Sequence, residues 1–214
     1  AIYDDLNSQW LDNDNINNTI VNGAHNGSCL IVRDGNINPT IIGLTFQDGV
    51  GTSMIVVDCD PYPVRSGGAI LLYKAYPTIM YNRFINNGFT PGLTGGGTAT
   101  ANGGAISHFA DDDVEFDEDR DQASQNNHSS RDIPEELNIQ NNYFEGNSSG
   151  DGENFYSFGY EGSINVSHSV FENIDCESNS VNKFVLKSLE DEADYIQNEI
   201  SGLCIESNSF YVSA

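Results

Sequence analysis

Apolar and polar positions along this chain follow no helical period. Short apolar runs are cut by Gly and Asn, the residues at which a backbone turns sharply. The clearest run is Gly67-Gly68-Ala69-Ile70-Leu71-Leu72-Tyr73, followed by Pro77-Thr78-Ile79-Met80-Tyr81-Asn82-Arg83-Phe84-Ile85-Asn86-Asn87-Gly88. It reads as two short strands separated by a tight turn. Gly103-Gly104-Ala105-Ile106 repeats its opening. Its second half recurs as an aliphatic residue followed five positions later by Phe, at Ile41/Phe46, Ile79/Phe84, Ile139/Phe144, Val166/Phe171 and Ile205/Phe210. The copies starting at Ile79, Ile139 and Ile205 also carry Asn three places on, at Asn82, Asn142 and Asn208.

Short strands recurring with no helix between copies predict a solenoid whose layers stack on one another. An odd offset would point Ile and Phe to opposite faces of one straight strand, so a bend at the intervening Asn is expected to turn both inward. Stacking then places Ile over Ile, Phe over Phe and Asn over Asn at roughly 4.8 Å. The expected fold is all-β, a right-handed parallel β-helix with loop insertions, formed as a single domain over 1–214.

The pairing of Gly-Gly-Ala-Ile with Phe-x-x-Asn (Phe84 to Asn87, Phe144 to Asn147) resembles the repeats of chlamydial polymorphic outer-membrane proteins. Thr19 to Gly23, then Ile42 to Gly49, then the Gly-Gly-Ala-Ile run, resemble the secreted bacterial right-handed β-helix repeat proteins. The similarity spans about residues 15–175. It implies the fold and a secreted setting; that group holds adhesins, carbohydrate-binding proteins and polysaccharide lyases, so fold alone does not set function.

Charge narrows the partners. With 32 acidic against 8 basic residues, a net charge of −24, the surface repels nucleic acid and anionic membranes. It suits a salty or extracellular setting, where ions screen self-repulsion. No apolar run approaches the roughly 20 residues of a membrane span, so no membrane insertion is expected. The strand-like ends, Ala1-Ile2-Tyr3 and Phe210-Tyr211-Val212, lack caps and suggest a piece of a longer secreted protein. Cys29 with Cys59 and Cys176 with Cys204 offer links between layers, with buried free thiols as the alternative.

Two acidic stretches bear on calcium. Asp12 to Asn17 alternates oxygen ligands but lacks the turn glycine and distal carboxylate of a full loop, so a solvated loop is expected. The acidic insertion, residues 107–135, breaks the repeat. Asp113, Glu115, Asp117, Asp119 and Asp121 would share one face of an extended strand, a candidate calcium site or a solvated loop.

Enzymatic and recognition readings compete. A calcium-assisted polysaccharide lyase needs a base beside the uronate, and a hydrolase paired carboxylates. Lys74 and His108, after the two Gly-Gly-Ala-Ile strands, form with Arg83 the best catalytic set. Recognition instead uses exposed aromatics that stack on sugars: Tyr73, Tyr76, Tyr81, Tyr143, Tyr156 and Tyr160. The expected role is extracellular or cell-surface recognition or adhesion toward a polysaccharide or glycan, with calcium as the only cofactor considered. A lyase or hydrolase is second, and self-association through the ends of the stack third.

Overall fold

Runs of β-branched and aromatic residues between turn residues form short strands. In the computed structural model almost every regular element is a strand, and the protein is all-β. The structure describes residues 2–4, 9–11, 14–33, 38–56, 60–88, 100–110, 114–116, 136–150, 152–159, 163–167, 169–172, 184–187, 198–200 and 210–213.

Three parallel sheets make up most of it. The Phe sheet contains, in spatial order, Ile20–Asn22, Thr45–Gln47, Arg83–Ile85, Tyr143–Glu145 and Val170–Glu172. The Gly-Gly sheet contains Leu30–Arg33, Ile70–Tyr73, Ile106–Phe109, Phe155–Phe158, Phe184–Lys187 and Phe210–Ser213. The Ile sheet contains Thr40–Ile42, Thr78–Met80, Glu136–Gln140, Ser163–Ser167 and Asn198–Ile200. From Ile20 to Ile200 the chain supplies these sheets in strict rotation: Phe, Gly-Gly, Ile, then the next layer.

Register puts like over like. Ile41, Ile79, Ile139, Val166 and Ile200 form one column. Val21, Phe46, Phe84, Phe144 and Phe171 form another. The Phe46 and Phe84 rings stack at 5.4 Å and 12°, and Phe84 and Phe144 at 4.8 Å and 13°. Ile41, Ile79, Ile139, Val166, Phe46, Phe84 and Phe144 are buried in one continuous core, with Val21 partly buried against it; each fully buried side chain contributes about 1.5–3 kcal/mol. Between the two columns the bend falls one residue earlier than expected. Gly43, Tyr81 and Asn141 take positive φ of 77°, 54° and 55°, while the following Asn82 and Asn142 turn inward and bond.

The fifth Ile/Phe pair is not a repeat of the others. Phe210 lies in the Gly-Gly sheet opposite Phe184, and Ile200 takes the Ile-column position expected of Ile205. Ile205 and Asn208 lie outside the described residues.

The Gly-Gly pairs serve two separate purposes. Gly67 and Gly103 turn the chain at φ 66° and 64°. Gly68 and Gly104 admit the next layer: a Cβ at Gly68 would lie 1.9 Å from the Gly104 carbonyl oxygen, and one at Gly104 would lie 2.4 Å from that of Glu153. Register reveals two more copies, Gly27-Ser28-Cys29-Leu30 and Gly152-Glu153-Asn154-Phe155. In the second only the turning glycine, at φ 66°, is retained.

Three strands of the Gly-Gly sheet, Ile70–Tyr73, Ile106–Phe109 and Phe155–Phe158, are buried on both faces. Leu71, Phe109, Tyr156 and Phe158 point away from the main core and pack with Met54. Met54 belongs to an antiparallel cover of Asp60–Ser66, Thr52–Val56 and Val114–Phe116, the middle strand pairing with both others. The insertion therefore begins later than residue 107, since Ser107, His108 and Phe109 complete a buried strand. Its residues Val114–Phe116 extend the cover. Near the N-terminus, Asp14–Asn18 is a short α-helix rather than a loop, held by a hydrogen bond from the Thr45 hydroxyl to the Ile16 carbonyl at 2.8 Å.

Candidate ligand-binding surface

Two asparagine ladders fix the corners that border the Phe sheet. In one, the Asn82 backbone N–H and Nδ2 both donate to Asn142 Oδ1, and Leu44 N–H donates to Asn82 Oδ1. Asn142 N–H continues the ladder to the Ser169 hydroxyl. In the other, Asn87 N–H and Nδ2 both donate to Asn147 Oδ1 at 3.0 Å. Each buried amide satisfies backbone groups that a turn would otherwise leave bare.

The first ladder holds the corner between the Ile and Phe sheets. Tyr81 stands there half-exposed, one layer from Asn141 and two residues before Arg83. Arg83 lies in register with Tyr143 on the next strand. Its guanidinium sits 5.0 Å from the centre of the Tyr143 ring and also bonds Asn17 Oδ1. The Tyr143 hydroxyl donates to Glu145 Oε2 at 3.1 Å. Asn141 is 8% exposed, and its Oδ1 is buried with no hydrogen-bond partner. The corner thus combines aromatic rings, a cation, a carboxylate and an amide oxygen lacking a donor.

Of the six tyrosines expected to meet sugars, Tyr81 and Tyr143 reach this surface. Tyr73 is half-buried against the cluster beneath the antiparallel cover. Tyr76 and Tyr156 are 4% and 3% exposed, and neither can offer a ring face. Tyr76 packs edge-on to His108 at 5.3 Å, and its burial raises the phenol pKa; Tyr156 lies under the cover. Tyr160 lies outside the described residues.

The expected catalytic set does not assemble. His108 is paired with Leu72 and Ser157, not Lys74, and is 0% exposed in the core. Its Nδ1 shares a 3.0 Å hydrogen bond with Ser157 Oγ. Burial lowers its pKa to about 3, so the ring is neutral at ordinary pH. Lys74 follows the Gly-Gly strand at φ 50°, its Nζ 5.1 Å from the Tyr73 ring centre. Arg83 is on the Phe sheet.

Glu115 pairs with Ile55 in the antiparallel cover; Asp113, Asp117, Asp119 and Asp121 lie outside the described residues. Among the described residues no group of His, Cys, Asp and Glu is arranged to hold a metal. Cys29 is a free thiol that donates to the Gln47 carbonyl, and desolvation by burial pushes its pKa up to about 11. Cys59, Cys176 and Cys204 lie outside the described residues. Among the described residues no helix is long and apolar enough to cross a membrane.

Comparison with known proteins adds no relative: no family model, no curated protein and no solved structure matches the chain.

Proposed function

We propose that this chain is a parallel β-helix serving as an extracellular recognition module, with a carbohydrate bound at the Tyr81, Asn141 and Tyr143 corner. The rotation through three parallel sheets and the Ile, Phe and Asn columns support the fold. The observation that carries the function is Tyr81. Its backbone adopts a left-handed φ of 54°, at the place filled in the flanking layers by Gly43 and Asn141. Those two residue types tolerate the conformation, whereas a tyrosine there costs on the order of 1–2 kcal/mol. A strained residue with a half-exposed ring is better explained by a ligand than by folding.

The chemistry suits a sugar. The Tyr81 ring supplies a stacking surface, Arg83 and Glu145 can direct hydroxyl groups, and Asn141 Oδ1 needs a donor that a sugar hydroxyl provides. A catalytic reading loses one member of its set, since His108 is sealed in the core. The test is a glycan array probed with the wild-type protein and with Tyr81→Ala. Binding that the substitution removes supports the reading. Binding that survives it unchanged, or no binding to any glycan, rejects it.

A further inference from the structure

The outer face of the Ile sheet continues from this corner. Thr40, Thr78, Asn138 and Asn165 form one outward column, and Ile42, Met80 and Gln140 another, across strands held in register. All seven are exposed or half-exposed, and none is ionised, although the chain carries 32 acidic residues. The first column ends at Glu199, one layer beyond Asn165. The Phe sheet differs, with Arg83 and Glu145 alternating with core residues. The columns repeat at roughly 4.8 Å between layers and stand about 6.6 Å apart along the strands.

We propose that the ligand is an extended, uncharged, β-linked polysaccharide lying across this face perpendicular to the strands, with one end on Tyr81. The inference rests on the carbohydrate reading of the corner. An anionic polymer finds no counter-charge in these columns, and the surrounding net charge of −24 repels it. Short Thr, Asn and Gln side chains present hydroxyl and amide groups at a near-constant repeat, which a straight chain of sugars can follow for several residues.

Unmet acceptors specify the hydrogen-bonding sense. Asn165 Oδ1 on this face and Asn141 Oδ1 at its border both lack a hydrogen-bond partner. Both oxygens are shielded in this conformation, and rotation about χ2, a soft torsion, would turn them toward ligand hydroxyls. Gln140 Nε2 already donates to Asn138 Oδ1 at 2.9 Å, leaving the remaining amide N–H groups for ring and hydroxyl oxygens. Four uncharged layers span about 14 Å, room for a few sugars.

The experiment is calorimetric titration of the full chain with cello-, xylo- and manno-oligosaccharides of two to six sugars, and with polygalacturonate. Wild type, Tyr81→Ala and Asn138→Lys are compared, with folding checked by circular dichroism. The expected result is affinity that rises with length in one neutral series and then levels off, with polygalacturonate inert. Asn138→Lys weakens the longer ligands about tenfold, about 1.4 kcal/mol, and leaves disaccharide binding unchanged. Affinity independent of length, equal binding of polygalacturonate, or an Asn138→Lys variant that binds like wild type overturns the extended ligand and leaves the corner intact. Tyr81→Ala without effect on the disaccharide rejects the corner separately. Absence of binding in every series rejects both.

Discussion

Asn142 Oδ1 accepts two hydrogen bonds from Asn82 on the neighbouring layer, one from the backbone N–H at 2.9 Å and one from Nδ2 at 3.2 Å. Asn142 Nδ2 in turn donates to the Ile79 carbonyl at 2.9 Å. A single side chain therefore satisfies three groups at a corner where the strand ladder is interrupted.

Asn142→Ala leaves the buried Asn82 backbone N–H and the Ile79 carbonyl without the bonds that Asn142 supplies, while Asn82 Nδ2 keeps the Ile41 and Met80 carbonyls. At about 1–3 kcal/mol for each unmet group, less what relaxation recovers, the expected loss is about 3 kcal/mol. Urea unfolding of the variant against wild type measures it. A loss below about 1 kcal/mol would mean that water replaces the ladder.

Glycine substitutions separate two effects. Gly68→Ala drives a methyl into the Gly104 carbonyl and is expected to cost more than about 4 kcal/mol or to prevent folding. Gly43→Ala, at φ 77° with nothing within 4 Å of the new Cβ, is expected to cost only about 1 kcal/mol of backbone strain. Thermal melts of the two variants should show that order.

Tyr81→Asn relieves strain at φ 54° and removes a ring. The expected outcome is a gain of up to about 1 kcal/mol in stability, with loss of glycan binding. Unfolding and binding are measured on the same preparation. A variant that loses stability would show that the tyrosine packs for the fold.

His108 makes the fold sensitive to acid. Its folded pKa, lowered to about 3 by burial, lies below the usual 6.5 of an unfolded histidine. Between these values the unfolded chain binds the proton and the folded one does not, so stability rises with pH through that window. The contribution is complete above about 6.5 and is lost on acidification, by at most about 1.4 kcal/mol per pH unit. The double variant His108→Leu/Ser157→Ala removes this slope. Comparing denaturation at pH 6.5 and 5.2 reads it before most carboxylates titrate.

Much of the fold was legible in the sequence because the repeat is enforced by side chains that must be identical or nearly so. Phe stacks on Phe, and Asn bonds Asn. The copies at Gly27 and Gly152 carry little sequence signal because Ser28 and Glu153 stand where Gly68 and Gly104 do, and only Gly152 keeps the positive φ of the turning glycine. Phe210 departs from the Ile-to-Phe pattern because an offset of five carries no register, and its pairing with Phe184 fixes its place. The site was less legible. Tyr76, Tyr156 and His108 have polar tips, yet the cover and core enclose them; which face a short strand buries depends on what the rest of the chain lays over it. The fully apolar Ile70-Leu71-Leu72 run carried that signal, since a strand buried on both faces does not alternate. Asn141 carried none, because an unmet acceptor is visible only in three dimensions.

The most direct test of the account is a two-dimensional amide NMR titration with a neutral β-linked oligosaccharide, following backbone and asparagine side-chain signals. The account predicts shifts confined to Tyr81, Arg83, Asn141 and Tyr143 and to the two outward columns of the Ile sheet, Thr40, Thr78, Asn138 and Asn165 with Ile42, Met80 and Gln140, with the Asn141 side-chain amide moving most. Shifts centred elsewhere, or an unchanged spectrum at saturating sugar, would contradict it.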